Sequence, residues 1–245
     1  MERPLQLLFL LLLCGACGSN STTSDGPAAP PVLPPVIDAE DHSQALPTPP
    51  PIDYDTSQWA ELSRLDSSLV LDLKYATDDN FVEEQLYDCP RCFLRPAVAR
   101  ALIRAQRQLR RRGLGFKLLD CYRPRPIQQK LWDKVPNASY VTPPAKGSMH
   151  NRGRAVDLTL VTLAGRELDM GTPFDFFGPR AHHTYTALPD SILERRRLLR
   201  TTMEAEGFRS IRTEWWHYSY PQGGAPLDDW LWTCDGNDSE MSISK

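Results

Sequence analysis

Ser148-Met-His-Asn-Arg-Gly-Arg-Ala-Val-Asp157, running into the apolar Leu158-Thr-Leu-Val161, sets an imidazole and a carboxylate seven residues apart with a glycine between them. A strand built only for packing has little use for His, Asn, Arg and Asp at such density. A divalent cation does, because imidazole nitrogens and carboxylate oxygens hold zinc at about 2 Å. Gly153 lets the chain turn, so that His150 and Asp157 converge on one point instead of facing opposite sides of a flat strand. That spacing also arises by chance, so much of its weight comes from a second cluster, Glu214-Trp-Trp-His217.

Together the clusters define a site. His150, Asp157 and His217 supply two nitrogens and one oxygen and leave a fourth zinc position open, the mark of a catalytic rather than a structural centre. Glu214 then serves as general base, passing a proton from water to a leaving amine. Arg123, in Asp120-Cys-Tyr-Arg-Pro124 at a strand's end, is the candidate cation for the oxyanion. Each residue also has a structural reading: His217 as a histidine satisfied among aromatics, Arg123 as half of a salt bridge, and at least one of Trp215 and Trp216 in the core. Residues three apart face one way on a helix but not on a strand, whereas Glu214–Tyr220 is strand-like in composition. A shared site for Glu214 and His217 therefore requires a turn or bulge just before His217. His182 and His183 are rival ligands, although adjacent histidines seldom reach one ion together. Their expected role is packing or hydrogen bonding near the site mouth.

The net charge of −3 argues against a nucleic acid partner. The basic run Arg107–Arg112 reads as the solvated end of a helix stopped by Gly113. At the N-terminus, Leu5–Leu13 is apolar except for Gln6 and too short to span a bilayer. Residues 1–17 read as a signal peptide, and Cys17 resembles the lipidated cysteine of a bacterial lipoprotein. A plain secretory signal cut after Ala16 is the alternative. Either way the chain is expected to be exported to the periplasm or cell envelope, touching membrane only through that anchor. Residues 18–52, rich in Pro, Ser, Thr and Ala, read as a tether. Residues 53–232 form the domain, large enough to bury on the order of 70% of its unfolded surface, and 233–245 a polar tail. Cys89, Cys92, Cys121 and Cys234 permit three full pairings in an oxidising compartment.

Alternation and β-rich composition predict strands over Leu69–Tyr75, Phe116–Asp120, Leu158–Leu163 and within Phe208–Tyr220. Helical spacing predicts helices over Arg95–Arg112, Pro126–Lys134 and from Ser191 to Gly207, the last opened by the capping-box spacing Ser191-Ile-Leu-Glu194. Strands and helices mix without regular βαβ alternation. The expected class is α+β: one domain with a small antiparallel sheet flanked by helices.

Ser148–Leu160 and Glu214-Trp-Trp-His-Tyr218 resemble the paired zinc motifs of D-alanyl-D-alanine dipeptidases of the vancomycin-resistance type. Tyr122-Arg-Pro124, Lys74–Phe81 and Met170–Phe176 resemble further segments of that family. The resemblance implies an α+β fold of the D-Ala-D-Ala carboxypeptidase/Hedgehog type, one Zn2+ per chain, and hydrolysis of the free dipeptide D-Ala-D-Ala. It also implies that His150, Asp157 and His217 are zinc ligands, Glu214 the base, and Arg123 the group polarising the scissile carbonyl. Asp175, with Tyr75 beside it, would meet the substrate ammonium, and Ser148 the carboxylate. Capping of a turn after Phe174 is the other reading of Asp175. The sequence departs from the family at Asn80-Phe-Val-Glu-Glu84, which lacks a glycine, at Met149, which replaces a serine, and at Cys121, where a small residue is usual. A D,D-carboxypeptidase or endopeptidase acting on peptidoglycan stems would use the same chemistry in an open groove. A zinc-keeping binding module would lack the base or the arginine.

Overall fold

The computed structural model describes residues 51–234. The expected signal peptide, its Cys17, all but the end of the tether and most of the polar tail lie outside them. Among the described residues no helix is long and apolar enough to cross a membrane.

The run Ala-Val-Asp-Leu-Thr-Leu-Val-Thr becomes β5 (Ala155–Thr162), buried from Ala155 to Val161. A strand buried on both faces belongs mid-sheet. β5 accordingly lies between β4 (Leu114–Asp120) and β7 (Glu214–Ser219), antiparallel to both. The sheet is completed by β2 (Val70–Leu71) and β6 (Arg209–Ile211), in the order β2-β4-β5-β7-β6. A separate two-stranded ladder pairs β1 (Ala60–Glu61) with β3 (Phe93–Leu94), and a single helical turn, α1 (Leu62–Leu65), follows β1. Helix α2 (Pro96–Arg110) buries Val98, Leu102, Ala105 and Leu109 and packs on β4 and on α4 (Asp190–Ala205). Helix α3 (Arg125–Lys134) follows β4 directly. The class is α+β, as read from the sequence.

Several expectations need correction. β2 pairs parallel with β4, so the sheet is not wholly antiparallel; the connection that runs through α2 makes this possible. The strand expected over Leu69–Tyr75 shrinks to Val70–Leu71, and Lys74–Ala76 forms a 3-10 turn. Leu73 and Tyr75 are both buried, so the alternation that suggested a strand also suits a turn that carries Tyr75 inward. The 158–163 strand starts earlier, at Ala155, which places Asp157 inside it. The β-rich 208–220 stretch is a hairpin of two strands. α4 starts at Asp190 after Pro189, with no side-chain cap hydrogen bond, so the Ser191 capping box does not form. Proline fixes the backbone angle that leads into the helix.

The disulfides are Cys92–Cys121 and Cys89–Cys234. The domain consequently runs through Cys234 rather than ending at 232. Trp230 stacks on Trp59 with centroids 5.3 Å apart, Trp232 packs on Tyr87 at 4.9 Å, and the Thr233 carbonyl accepts a hydrogen bond from Arg91. Cys89–Cys234 closes a loop of 145 residues. Replacing both cysteines by serine is expected to cost on the order of 3 kcal/mol. Calorimetry should show this as a fall in Tm on the order of 10 °C.

Candidate metal centre

Asp157 sits mid-sheet with Asp120 opposite it on β4 and His217 opposite it on β7. His150 arrives from the other direction. It opens a 3-10 turn, His150–Arg152, that Gly153 ends at φ +64. A Cβ at Gly153 would lie 2.4 Å from the Trp59 ring, so both backbone angle and space demand glycine. The bulge expected before His217 is present: one step on β6, Ser210 to Ile211, faces four on β7, Tyr218 to Glu214. It lets both Trp215 and Trp216 be buried while Glu214 and His217 reach one site.

Three donor atoms meet there. His150 Nε2 lies 3.1 Å from His217 Nδ1 and 3.3 Å from Asp157 Oδ1, and His217 Nδ1 lies 3.0 Å from the same oxygen. Donors held about 2.1 Å from a tetrahedral zinc stand about 3.4 Å apart, so this triangle is close to the size required. Proton positions fit as well. With its proton on Nδ1, His150 donates to the Cys121 carbonyl at 2.7 Å, and with its proton on Nε2, His217 donates to Ser219 Oγ at 2.9 Å. In those tautomers both imidazoles present lone pairs to each other and to a carboxylate. Three buried acceptors facing one another call for a cation. Among the described residues these three form the group suited to a metal, and neither His182 nor His183 belongs to it. His182 Nδ1 accepts from Arg212, while burial and then Arg200 and Arg196 lower His183 to about 4 and keep it neutral.

Two groups flank the triangle. Glu214 Oε2 lies 3.9 Å from His217 Nδ1, with about a quarter of its side chain exposed to the cavity. Burial pushes its carboxyl up to about 7, opposed by His217 and assisted by Asp157 and Asp175. On the other side Arg123 Nη2 lies 3.9 Å from Asp157 Oδ2. Arg123 donates through Nε and Nη2 to Asp120 Oδ2 at 2.9 and 2.7 Å and through Nη1 to Gln128 Oε1 at 3.0 Å. Its guanidinium lies 5.0 Å from the centre of the Tyr75 ring. Burial disfavours its charge, but Asp120, Tyr75, Tyr87 and Asp157 together outweigh this and hold Arg123 ionised. The salt bridge expected of Arg123 is present, and Arg123 also lines the cavity beside the triangle.

A cavity of about 290 Å³ opens over the triangle, at the small end of ligand clefts. Ser148, Lys146 and Asp175 are among the residues that line it. Asp175 accepts from Tyr75 Oη at 2.7 Å and has φ +54, a conformation that non-glycine residues adopt at a cost. Burial raises its carboxyl to about 7, against the Tyr75 hydrogen bond.

A sequence profile described as D-ala-D-ala dipeptidase matches residues 55–233. The chain belongs to that family. It is 36% identical over 171 residues to the D-alanyl-D-alanine dipeptidase of Escherichia coli K12, covering 70% of this chain and 89% of that protein. To the D-alanyl-D-alanine dipeptidase of Enterococcus faecalis V583 it is 37% identical over 168 residues, covering 60% and 83%. Among solved structures, a mutant of the vancomycin-resistance D,D-pentapeptidase VanY in complex with Zn(II) overlaps 53% of this chain and 73% of its own. That overlap has a TM-score of 0.35 and 17% identity.

In this dipeptidase-family member the sequence reading missed the supports. Asp120 is fully buried and holds Arg123, its other oxygen accepting from Tyr87 Oη at 3.0 Å. Asn151 Nδ2 donates to the Arg123 carbonyl at 2.7 Å, and Asn151 Oδ1 accepts from the Ser148 amide at 2.7 Å. Cys121 contributes a backbone carbonyl, pinned by its disulfide to Cys92. Asp120 and Asn151 both stand within the motifs, and their proximity to Arg123 and His150 was the available signal.

Proposed function

We propose that this chain is a zinc metallopeptidase that hydrolyses the free dipeptide D-Ala-D-Ala, its one metal held by His150 Nε2, Asp157 Oδ1 and His217 Nδ1. The observation that carries the reading is the donor triangle beneath a small cavity with carboxylates at two defined places. Zinc, when bound, supplies Lewis acidity for water and for the carbonyl oxygen. Glu214 takes the proton of the attacking water at its carboxylate and returns it to the departing amine nitrogen. Arg123 donates N–H bonds to the oxygen that gains charge, and Asp120 and Gln128 hold the guanidinium in place beforehand. Asp175, oriented by Tyr75, meets the substrate ammonium, and Ser148 takes the carboxylate end. Reading both charged termini favours dipeptides over longer peptides.

The competing reading, a D,D-carboxypeptidase working on stem peptides, requires an open groove, and the small cavity disfavours it. The test is kcat/KM for D-Ala-D-Ala against N-acetyl-D-Ala-D-Ala. The free dipeptide is expected to be preferred by at least about tenfold, and preference for the acylated substrate would reverse the assignment.

A pH prediction follows from Asp175. Only its ionised form pairs with an ammonium, and its carboxyl sits at about 7. Binding of a non-hydrolysed dipeptide analogue should therefore weaken as pH falls below about 7, by roughly tenfold per unit. Asp175→Asn should flatten this limb. An unchanged limb in that variant would remove Asp175 from ammonium recognition.

The leader supports a location. The apolar Leu5–Leu13 run, Cys17 and the Pro-rich stretch that follows argue for export and lipid anchoring in the cell envelope, with a role in cell-wall turnover or nutrient recovery. Palmitate labelling that survives Cys17→Ser would contradict the anchor.

A further inference from the structure

We propose that Tyr140, Phe177 and Phe81 form an aromatic arch that confines the reaction to free dipeptides by occupying the space beyond the substrate's amino end. The inference rests on the dipeptidase reading above. The three rings come from separate segments: Tyr140 from the stretch between α3 and the His150 turn, Phe177 from two residues past Asp175, and Phe81 from the loop after the Lys74–Ala76 turn. All three line the cavity over the donor triangle. Tyr140 and Phe177 have centroids 4.8 Å apart, and Phe177 and Phe81 5.1 Å. The series continues to Tyr75, 6.3 Å from Phe81, whose hydroxyl holds Asp175. The arch therefore springs from the pair assigned to the ammonium and crosses to the loop that leads to Ser148.

Phe81 packs partly against the core, but the other two rings are not there to fill it. Tyr140 is 44% exposed and Phe177 37%. Exposed apolar side chains gathered at a cavity mouth mark a ligand-binding feature rather than a packing one. Charge alone is also an incomplete filter. A carboxyl raised by burial, as Asp175 is, can carry a proton and donate it to the carbonyl of an acylated amine. A steric stop at the same place rejects the acyl group whatever the protonation state.

The test uses the zinc-loaded chain and the variants Phe177→Ala, Tyr140→Ala and their double. Phe177→Leu serves as a milder substitution that keeps an apolar side chain. Each is assayed on D-Ala-D-Ala and on N-acetyl-D-Ala-D-Ala. Dissociation constants for both are also measured in a Glu214→Gln background, where turnover is suppressed. The expected result is a rise of about tenfold or more in the acylated-to-free ratio of kcat/KM in the double variant, with the ratio of affinities moving the same way. A wild-type chain that favours the free dipeptide, with ratios unmoved in folded variants, overturns the arch and leaves the dipeptidase reading standing. A wild-type chain that favours the acylated substrate overturns both.

Discussion

Glutamine at position 214 is expected to lower kcat on D-Ala-D-Ala by about 10²–10⁴, the range in which a positioned proton-transfer group contributes, while KM and metal content stay near wild-type values. The expectation rests on place and chemistry together. Glu214 Oε2 lies 3.9 Å from His217 Nδ1, and Glu214 is not among the three residues that could hold the ion. Its carboxyl, at about 7 through burial, accepts a proton and releases it again near neutral pH. A bound zinc would draw that value down, toward the ionised form the base needs at the start of the cycle. Glutamine keeps the shape and removes the basicity. Single-turnover kinetics alongside metal analysis would separate this from loss of the ion. Activity within tenfold of wild type, with full metal, would take the base role away from Glu214.

Alanine at position 123 is expected to produce two losses. The first is about 10²–10³ in kcat, the usual cost of removing one oxyanion donor. The second is stability. Asp120 is fully buried and would keep the Tyr87 hydroxyl as a donor, with His150 Nδ1 at 3.5 Å from its other oxygen. An uncompensated buried charge of this kind costs on the order of 3–5 kcal/mol. Lysine at the same position keeps the charge but not the two N–H bonds to one Asp120 oxygen, so it should restore stability in part and rate poorly. Thermal unfolding and kcat measured on the same preparations distinguish the two effects. A destabilised Arg123→Ala chain with kcat unchanged would leave Arg123 a structural salt bridge and nothing more.

The features of the site legible in the sequence are those written in side-chain identity at short range. His150 and Asp157 bracket a glycine whose positive φ and crowding against Trp59 leave no alternative residue. Glu214 and His217 lie in a strand too aromatic to be a helix, so their three-residue spacing announced the bulge that places them together. What stayed hidden acts through the backbone or across long separations. The Cys121 carbonyl that orients His150 is invisible in a residue name, and the choice among cysteine pairings depends on which strands lie side by side. The Tyr140–Phe177 contact likewise joins loops that no local pattern links. The short β2 and the 3-10 turn after it were misread because Leu73 and Tyr75 are buried in either arrangement. Asp120 stands in plain view beside Arg123 in the sequence, but only the paired contact of Nε and Nη2 with its carboxylate shows what it does.

The central claim is that distant stretches of the chain converge to hold one catalytic ion. It is tested most directly by zinc content and D-Ala-D-Ala hydrolysis measured together on the purified chain, before and after chelator treatment, beside His150→Ala. The account predicts one zinc per chain, loss of hydrolysis with loss of the metal, recovery on adding zinc back, and neither zinc nor activity in the variant. Undiminished hydrolysis by metal-free protein, or a full zinc complement in His150→Ala, would contradict it.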